Sequence, residues 1–535
     1  MTNGIPTPQF SGSANRHNLI ALLLVAIVLL APSIWMLATI PPLWRDADAY
    51  HQVAASPARS TAGGHGLLYG LAVRPPLYAG YQIERWRGTA AANTDSFFRA
   101  PQLTDTGILL LISAQHLALC AAAFALIVTA VKRAWMRVAL AAFFASNSIF
   151  YTFAQCVGSE SLSMICVLVF ATLGLSIVQR PSLTSKELWT SLAAPLLAAL
   201  LSRHVNTLLI LILPLTFLFA AMAGRSAQNL RQAATALAVG LACLLLARCS
   251  AQAICATEKL HLYSKIGFTF LWRVGFVQKL PATQRNALLD RIAARAKTEE
   301  GHQALAIFRE IIEENIPLQP EPISQRLRAA LFPPGTKVVA RRVHGALNDV
   351  AVAFLLPPTP EHWQAAQHDF AEARKGRLPS VSRFLFLMTC YYWDHPKDLP
   401  QCGQLSTFRN YTPEKLIAIP AEKPYFHLWQ PLSLNGLLVI AAGVALALLL
   451  GPGRGDGARL VLCAYLVALV GVGLAMVEIT ALIGDIIPRY TLPLWELLWI
   501  ACLIGAGALA DASASFRFST QDLKRRSAPN AATRE

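Results

Sequence analysis

The sequence predicts an all-α polytopic membrane protein of about ten transmembrane helices, with a mostly helical insertion on the outer face between spans seven and eight. Three observations predict it. Hydrophobic residues fill 55% of the 535 positions and charged residues only 14%, whereas a soluble globule carries roughly 25% charged residues to keep its surface solvated. Apolar runs near the length a bilayer requires recur along the chain. A single long block of ordinary soluble composition interrupts them. The same composition excludes a disordered scaffold, a disulfide-dense secreted miniprotein and a collagen-like fibre. The formal charge of +16 reads as basic flanks with affinity for anionic headgroups or phosphates, and nucleic acid is not expected as a partner.

The apolar runs are Leu19–Ile40, Thr106–Val131, Val138–Ala154, Leu162–Val178, Leu188–Leu201, Val205–Met222, Ala233–Ala247, Leu434–Leu450, Leu460–Ile483 and Tyr490–Ala510. The first is longer than the h-region of a signal peptide, and the Ile-Pro-Pro after it is a poor cleavage site, so it reads as an uncleaved anchor. Leu188–Leu201 is short for a crossing. Orientation follows from the short loops. Arg16, the Lys132/Arg133/Arg137 group, Arg180 and Lys186, Arg225 and Arg231, Arg454 and Arg459, and the Lys524-Arg-Arg526 tail fall on one side of an up-and-down count. That side is expected to be cytoplasmic, with both termini on it, in a cell inner membrane. The long opposite loops, Pro41–Asp105 and Ser250–Gln430, are also basic but largely exempt from the charge rule.

The expected organisation is an N-terminal membrane module (1–249) with a first outer loop at 41–105, a periplasmic insertion (250–430), C-terminal membrane helices (431–510) and a basic cytoplasmic tail (511–535). Within the insertion, Leu288, Leu289, Ile292, Ala293, Leu305, Ile307, Phe308, Ile311 and Ile312 recur at helical spacing among charges, predicting an amphipathic hairpin over Thr283–Glu314. Pro-rich connectors at Pro317–Pro322, Phe332–Gly335 and Leu356–Pro360 break the pattern. Cys390 and Cys402 lie outside the apolar runs, either as a disulfide or as two thiols. The Gly451-Pro-Gly-Arg-Gly-Asp-Gly457 stretch lacks the Gly-Lys-Ser/Thr ending of a phosphate loop and reads as a tight turn. Asn410-Tyr-Thr412 is a sequon that matters only in a secretory pathway. No zinc pattern, hydrolase elbow or repeat occurs.

The uncommon polar residues fall on one face of this topology. Asp46, Asp48 and Arg74 lie in the first outer loop, Glu160 opens the fourth span, Arg203 and His204 follow the fifth, and Asp485 and Arg489 precede the tenth. Their strings are Leu43-Trp-Arg-Asp-Ala-Asp-Ala-Tyr50, Arg74-Pro-Pro-Leu-Tyr78, Gly158-Ser-Glu-Ser-Leu162, Leu201-Ser-Arg-His204 and Ile487-Pro-Arg-Tyr-Thr-Leu-Pro493. In this order they resemble the motifs of the integral-membrane glycosyltransferases of the GT-C class, the superfamily of protein O-mannosyltransferases and lipid A aminoarabinose transferases. The resemblance covers residues 19–222 and 434–510. Where that family often has Asp-Glu, this chain has Asp46-Ala47, and the insertion matches no familiar periplasmic domain.

The resemblance implies a polyprenyl-phosphate sugar donor, an acceptor in the cell envelope that the sequence does not name, and no cofactor. Such transfer needs a base for the acceptor proton and positive charge for the departing phosphate. Asp46 is the preferred base and Asp48 the second choice; both also read as solvated acids capping a helix end. Arg203, His204 and Arg489 are expected at the donor phosphate, since a planar guanidinium binds two phosphate oxygens and stays charged when partly desolvated. Either arginine also reads as a snorkelling anchor, and the histidine as an interface residue. Tyr50, Arg74, Tyr78, Glu160 and Tyr490 are expected to support substrate, with helix capping for Glu160 and the interfacial aromatic belt for the tyrosines as the plainer roles. Trp272–Arg273 is a weaker idea for closing over substrate. A divalent metal is not predicted, because hard-ion sites need more oxygen ligands than this pattern secures. The competing reading is a transporter or flippase of a lipid-linked or anionic substrate, kept alive by Glu478 inside the ninth span; a non-catalytic carrier-lipid binder is the third.

Overall fold

A computed structural model describes residues 12–45, 47–92, 96–180, 184–224, 226–264, 266–332, 335–336, 339–394, 412–451, 457–484 and 486–527. The described residues are all-α apart from one pair of two-residue strands. Helix α1 (Gly12–Thr39) leads into strand β1 (Leu43–Trp44), then into four short helices, α2 (Ala47–Ala54), α3 (Pro57–Ala62), α4 (Leu67–Ala72) and α5 (Arg74–Trp86). Next come α6 (Asp105–Ala130), α7 (Ala134–Ala145), α8 (Ser148–Ala154), strand β2 (Cys156–Val157), α9 (Ser159–Val178) and α10 (Ser185–Ser202). A 3-10 turn at His204–Leu211 runs into α11 (Ile212–Gly224), followed by α12 (Ala227–Ala256).

Among the described residues, seven helical stretches are long and apolar enough to cross a membrane: Arg16–Thr39, Asp105–Ala130, Ser159–Val178, His204–Gly224, Ala227–Ala256, Gly457–Ile483 and Pro488–Ala512. Each of the ten apolar runs falls on helix, yet three do not reach that standard. The run Val138–Ala154 divides, because the Asn147 side chain accepts from Ile149 N at 3.0 Å and caps a new helix; the 12 residues of α7 then span about 18 Å. Helix α10 starts in a Thr184/Glu187 capping box with Lys186 and Glu187 in its first turn, which removes apolar length. The 17-residue α21 (Leu434–Leu450) is apolar apart from Asn435 but short.

The insertion begins beyond Ala256, where α12 ends, later than the composition alone places it. The expected hairpin is present as α14 (Ala282–Arg295) and α15 (Glu299–Glu313), after the short α13 (Ile266–Phe270). Its apolar stripe is buried at Leu288, Leu289, Ile292, Leu305, Ile307, Phe308 and Ile311. With α16 (Pro320–Leu331) and α17 (Ala340–Leu355) it forms a core of its own. Helix α18 (Pro360–Lys375) lies against α22 (Gly457–Ile483). The remainder does not stay apart: α19 (Leu378–Asp394) and α20 (Pro413–Glu422) contribute Leu378, Leu385, Phe386, Leu416 and Ile419 to the core of the apolar helices. The soluble block is thus two units, one self-contained and one built into the bundle. Cys390, on α19, is buried with its Sγ 3.4 Å from Pro413 O; Cys402 lies outside the described residues.

Helix α23 (Leu492–Ser527) closes the bundle against α21 and α22. Two close approaches fix how the ends meet. A Cβ on Gly66, at the start of α4, would stand 1.8 Å from Ser202 O at the end of α10. One on Gly80 of α5 would stand 2.1 Å from Gly107 N of α6. Only glycine lets these backbones touch.

Candidate functional site

The parallel strand pair does the first positioning. Leu43 pairs with Cys156 and Trp44 with Val157, which sets Arg45 beside the turn that opens α9. The side chains beneath hold both strands in place. Gln155 Nε2 donates to Ile40 O at 2.6 Å. Its Oε1 accepts from His116 Nε2 at 2.8 Å, so the imidazole accepts at Nδ1 from Ser33 Oγ at 3.0 Å. Gln115 Nε2 donates to Ala154 O and Cys156 O, and Thr389 Oγ1 of α19 accepts from Trp44 N at 2.9 Å. Two further hydrogen bonds orient the turn itself: Gly158 N donates to the Tyr69 hydroxyl at 2.8 Å, and Ser159 N to Gln52 Oε1 at 3.0 Å.

On that frame Arg45 Nη1 donates to Glu160 Oε1 at 2.8 Å, and Arg203 Nη2 lies 3.5 Å from the same oxygen. The three side chains are 7%, 2% and 14% exposed respectively for Arg45, Glu160 and Arg203. Arg203 terminates α10 in extended backbone, φ −156° and ψ 144°, which turns it out of the helix towards the start of α9. Arg489 sits in the 3-10 turn Pro488–Thr491 before α23, its guanidinium 5.1 Å from the Tyr490 ring centroid. Arg45, Glu160, Arg489 and Tyr490 all lie close enough for their charges to act on Arg203. Two guanidinium groups thereby share one largely buried carboxylate, and the half-buried Arg489 lies within electrostatic reach of Arg203. A desolvated guanidinium cluster of this kind suits a phosphate or carboxylate ligand.

Glu160 and Arg203 are therefore brought together, with Arg489 and Tyr490 within electrostatic reach of Arg203. Arg45 joins them, although sequence reasoning did not single it out; its signal was its place between Trp44 and Asp46. Asp46 and Asp485 lie outside the described residues. Asp48 falls on α2, one turn after Arg45 in the chain, with its side chain likewise outside the description. His204 is exposed at the start of the 3-10 turn.

Arg74 takes a structural place. Its Nη1 donates to Val53 O at 2.6 Å and its Nη2 to Ala55 O, so it closes the carboxyl end of α2. Burial pushes its guanidinium down to about 10, which leaves it protonated at neutral pH. Tyr50 is half-buried, packed against the small core around Trp44 and Val157. Tyr78 is exposed and packs edge-on against Phe97, with ring centroids 5.2 Å apart. The buried Arg273 is committed to the partly exposed Asp369 in an ion pair, its guanidinium over the Phe276 ring, while Trp272 beside it is 60% exposed. Glu478 accepts from Gln367 Nε2 of α18 and so fastens the insertion to α22. Among the described residues, no three His, Cys, Asp or Glu side chains gather as a metal site. No protein-family model matches the chain, and no curated protein is significantly similar to it.

Proposed function

We propose that this chain is a glycosyltransferase of GT-C type. It moves a sugar from a polyprenyl-phosphate donor to an envelope acceptor at the outer face of the cytoplasmic membrane, with inversion. The observation that carries the reading is the pairing of Arg45 and Arg203 with Glu160, directly beside the segment that bears Asp46 and Asp48, with Arg489 within electrostatic reach of Arg203. The arginines receive the lipid-linked phosphate. Asp46, with Asp48 as the second choice, takes the proton of the acceptor hydroxyl; the freed oxygen attacks the anomeric carbon, and the bond from that carbon to phosphate oxygen breaks. The departing polyprenyl phosphate carries away the electron pair, and the guanidinium groups stabilise its charge. The seven long helices, completed by α7 together with α8, by α10 and by α21, supply the ten crossings of this reading. Both termini are then cytoplasmic and the insertion is periplasmic.

The transporter reading drew on Glu478 as an intramembrane charge. Its hydrogen bond to Gln367 gives that carboxyl a docking role instead. The test is sugar transfer by the purified protein in liposomes holding a panel of polyprenyl-phosphate sugars and mixed envelope acceptors. The wild type is expected to consume one donor, and either Asp46→Asn or Asp48→Asn to lose at least a hundredfold in turnover while still binding it. Labelled lipid crossing the bilayer with no donor consumed would instead support the transporter.

A further inference from the structure

The turn Gly63-Gly-His-Gly66, between α3 and α4, carries a histidine that the mechanism above leaves unused. Backbone hydrogen bonds pin it: Gly63 N donates to Arg59 O at 2.8 Å, Gly64 N to Thr61 O at 2.9 Å and His65 N to Ser60 O at 3.2 Å. Gly64 has φ +89°, in the left-handed region that favours glycine. The His65 side chain is half-buried, with Nδ1 3.1 Å from Gln52 Nε2.

The far end of the Gln52 amide decides which nitrogen of the imidazole carries the proton. Gln52 Oε1 accepts from Ser159 N at 3.0 Å, and a backbone N–H only donates, so the atom that faces His65 is the amide nitrogen. That nitrogen donates in turn, which makes Nδ1 the acceptor and leaves the proton of the neutral ring on Nε2. Gln52 is fully buried, so the tautomer is held from the protein interior.

Contacts on both sides tie His65 to the arginines. Ser159, held by Gln52, precedes Glu160, which Arg45 Nη1 meets at 2.8 Å and Arg203 Nη2 at 3.5 Å. Gly66, which follows His65, lies so near α10 that a Cβ on it would stand 1.8 Å from Ser202 O, and Arg203 follows Ser202. His65, Gln52, Ser159–Glu160, Arg203–Ser202 and Gly66 thus close a ring of direct contacts and chain neighbours.

We propose that His65 binds the lipid-linked phosphate, its Nε2–H donating to one phosphate oxygen while Arg45 and Arg203 hold others. The inference rests on the proposed sugar donor and adds a residue to its site. Two guanidinium groups against one carboxylate leave a net positive charge that draws an anion, and a neutral imidazole adds a directional hydrogen bond without adding repulsion among the cations. Gln52 is then a positioning residue, since it keeps the proton on Nε2.

The test is binding of a polyprenyl phosphate to the full-length protein in phosphatidylcholine nanodiscs. A glutamine carries its amide where histidine has Nε2, and an asparagine carries it where histidine has Nδ1. His65→Ala and His65→Asn should each weaken binding by about tenfold, whereas His65→Gln should stay within about threefold of wild type. The opposite order, with Asn retaining affinity and Gln losing it, would make His65 only a support for Gln52 and overturn the proposal. Wild-type binding by His65→Ala would overturn it too. The Gln and Asn variants decide the matter even if Ala lowers the melting midpoint. Phosphatidylglycerol added at the same level should not displace the probe; displacement would assign the site to anionic headgroups in general and overturn the proposal. If wild type binds no polyprenyl phosphate, the sugar-donor reading falls together with His65, whereas weakening by Arg203→Ala but by no His65 variant removes His65 alone.

Discussion

Arg45 and Glu160 form a buried ion pair, and removing one partner of such a pair leaves an uncompensated charge. Glu160→Ala should lower stability by about 3 kcal/mol, read as a fall in melting midpoint in detergent, and should release both Arg45 and Arg203 from their common anchor. Glu160→Gln keeps the shape and should cost less stability but still weaken donor binding. Arg45→Lys preserves charge and loses the planar fork; donor affinity should drop about tenfold with the midpoint nearly unchanged. A midpoint that does not respond to Glu160→Ala would show that the pair contributes nothing to the fold. At this scale the sequence was partly legible. Glu160, Arg203 and Arg489 stood out because each is a charge at the end of an apolar run. Arg45 did not, because what brings it to Glu160 is a two-residue strand pairing across more than a hundred positions, and such a pairing leaves no periodic trace.

Among elements, Gly66 is where α4 meets α10 through bare backbone. Gly66→Ala sets a methyl 1.8 Å from Ser202 O, so the helices must separate and Arg203 must move with them. Donor binding and melting midpoint should fall together, and a variant indistinguishable from wild type in both would show that the contact is slack. His362, which opens α18, sits among Phe270, Phe276 and Phe354, with ring centroids 5.4 to 6.5 Å away. Burial, then the nearby Arg273 charge, pushes it down to about 4, against an offsetting contact with the Leu482 backbone. Above pH 6.5 the imidazole is neutral in both folded and unfolded chains and contributes nothing. Between pH 6.5 and about 4 only the unfolded chain gains the proton, so stability falls with pH, by about 1.4 kcal/mol per unit and about 3 kcal/mol in all. His362→Leu should flatten that slope in unfolding experiments from pH 7 to 4; an unaltered slope would assign it to other groups. The hairpin α14–α15 was legible from its apolar spacing. The division of Val138–Ala154 was not, because a single asparagine between two serines scarcely interrupts an apolar run, yet its cap ends the helix. Nor was the docking of α19, since its segment lies inside the block 250–430 that composition marks off from the apolar runs.

For the whole molecule, the proposed topology puts the loop at Lys132 and the insertion at Glu299–Glu313 on opposite sides of the membrane. A cysteine introduced at Lys132 should react with an impermeant maleimide only from the cytoplasmic side, and one at Glu313 only from the periplasmic side. Labelling of both from one side would remove the up-and-down arrangement. Membrane character was legible from composition, while the division of one apolar run was not, because run length ignores a side-chain cap such as that of Asn147. The reading of the protein rests finally on the arginine locus. The most direct measurement is the affinity for a polyprenyl phosphate in nanodiscs, taken for wild type and for Arg45→Ala, Arg203→Ala and Arg489→Ala. The account predicts that wild type binds and that each substitution weakens binding at least tenfold, with less than additive loss when two are combined. Binding that all three variants retain at wild-type strength would contradict it.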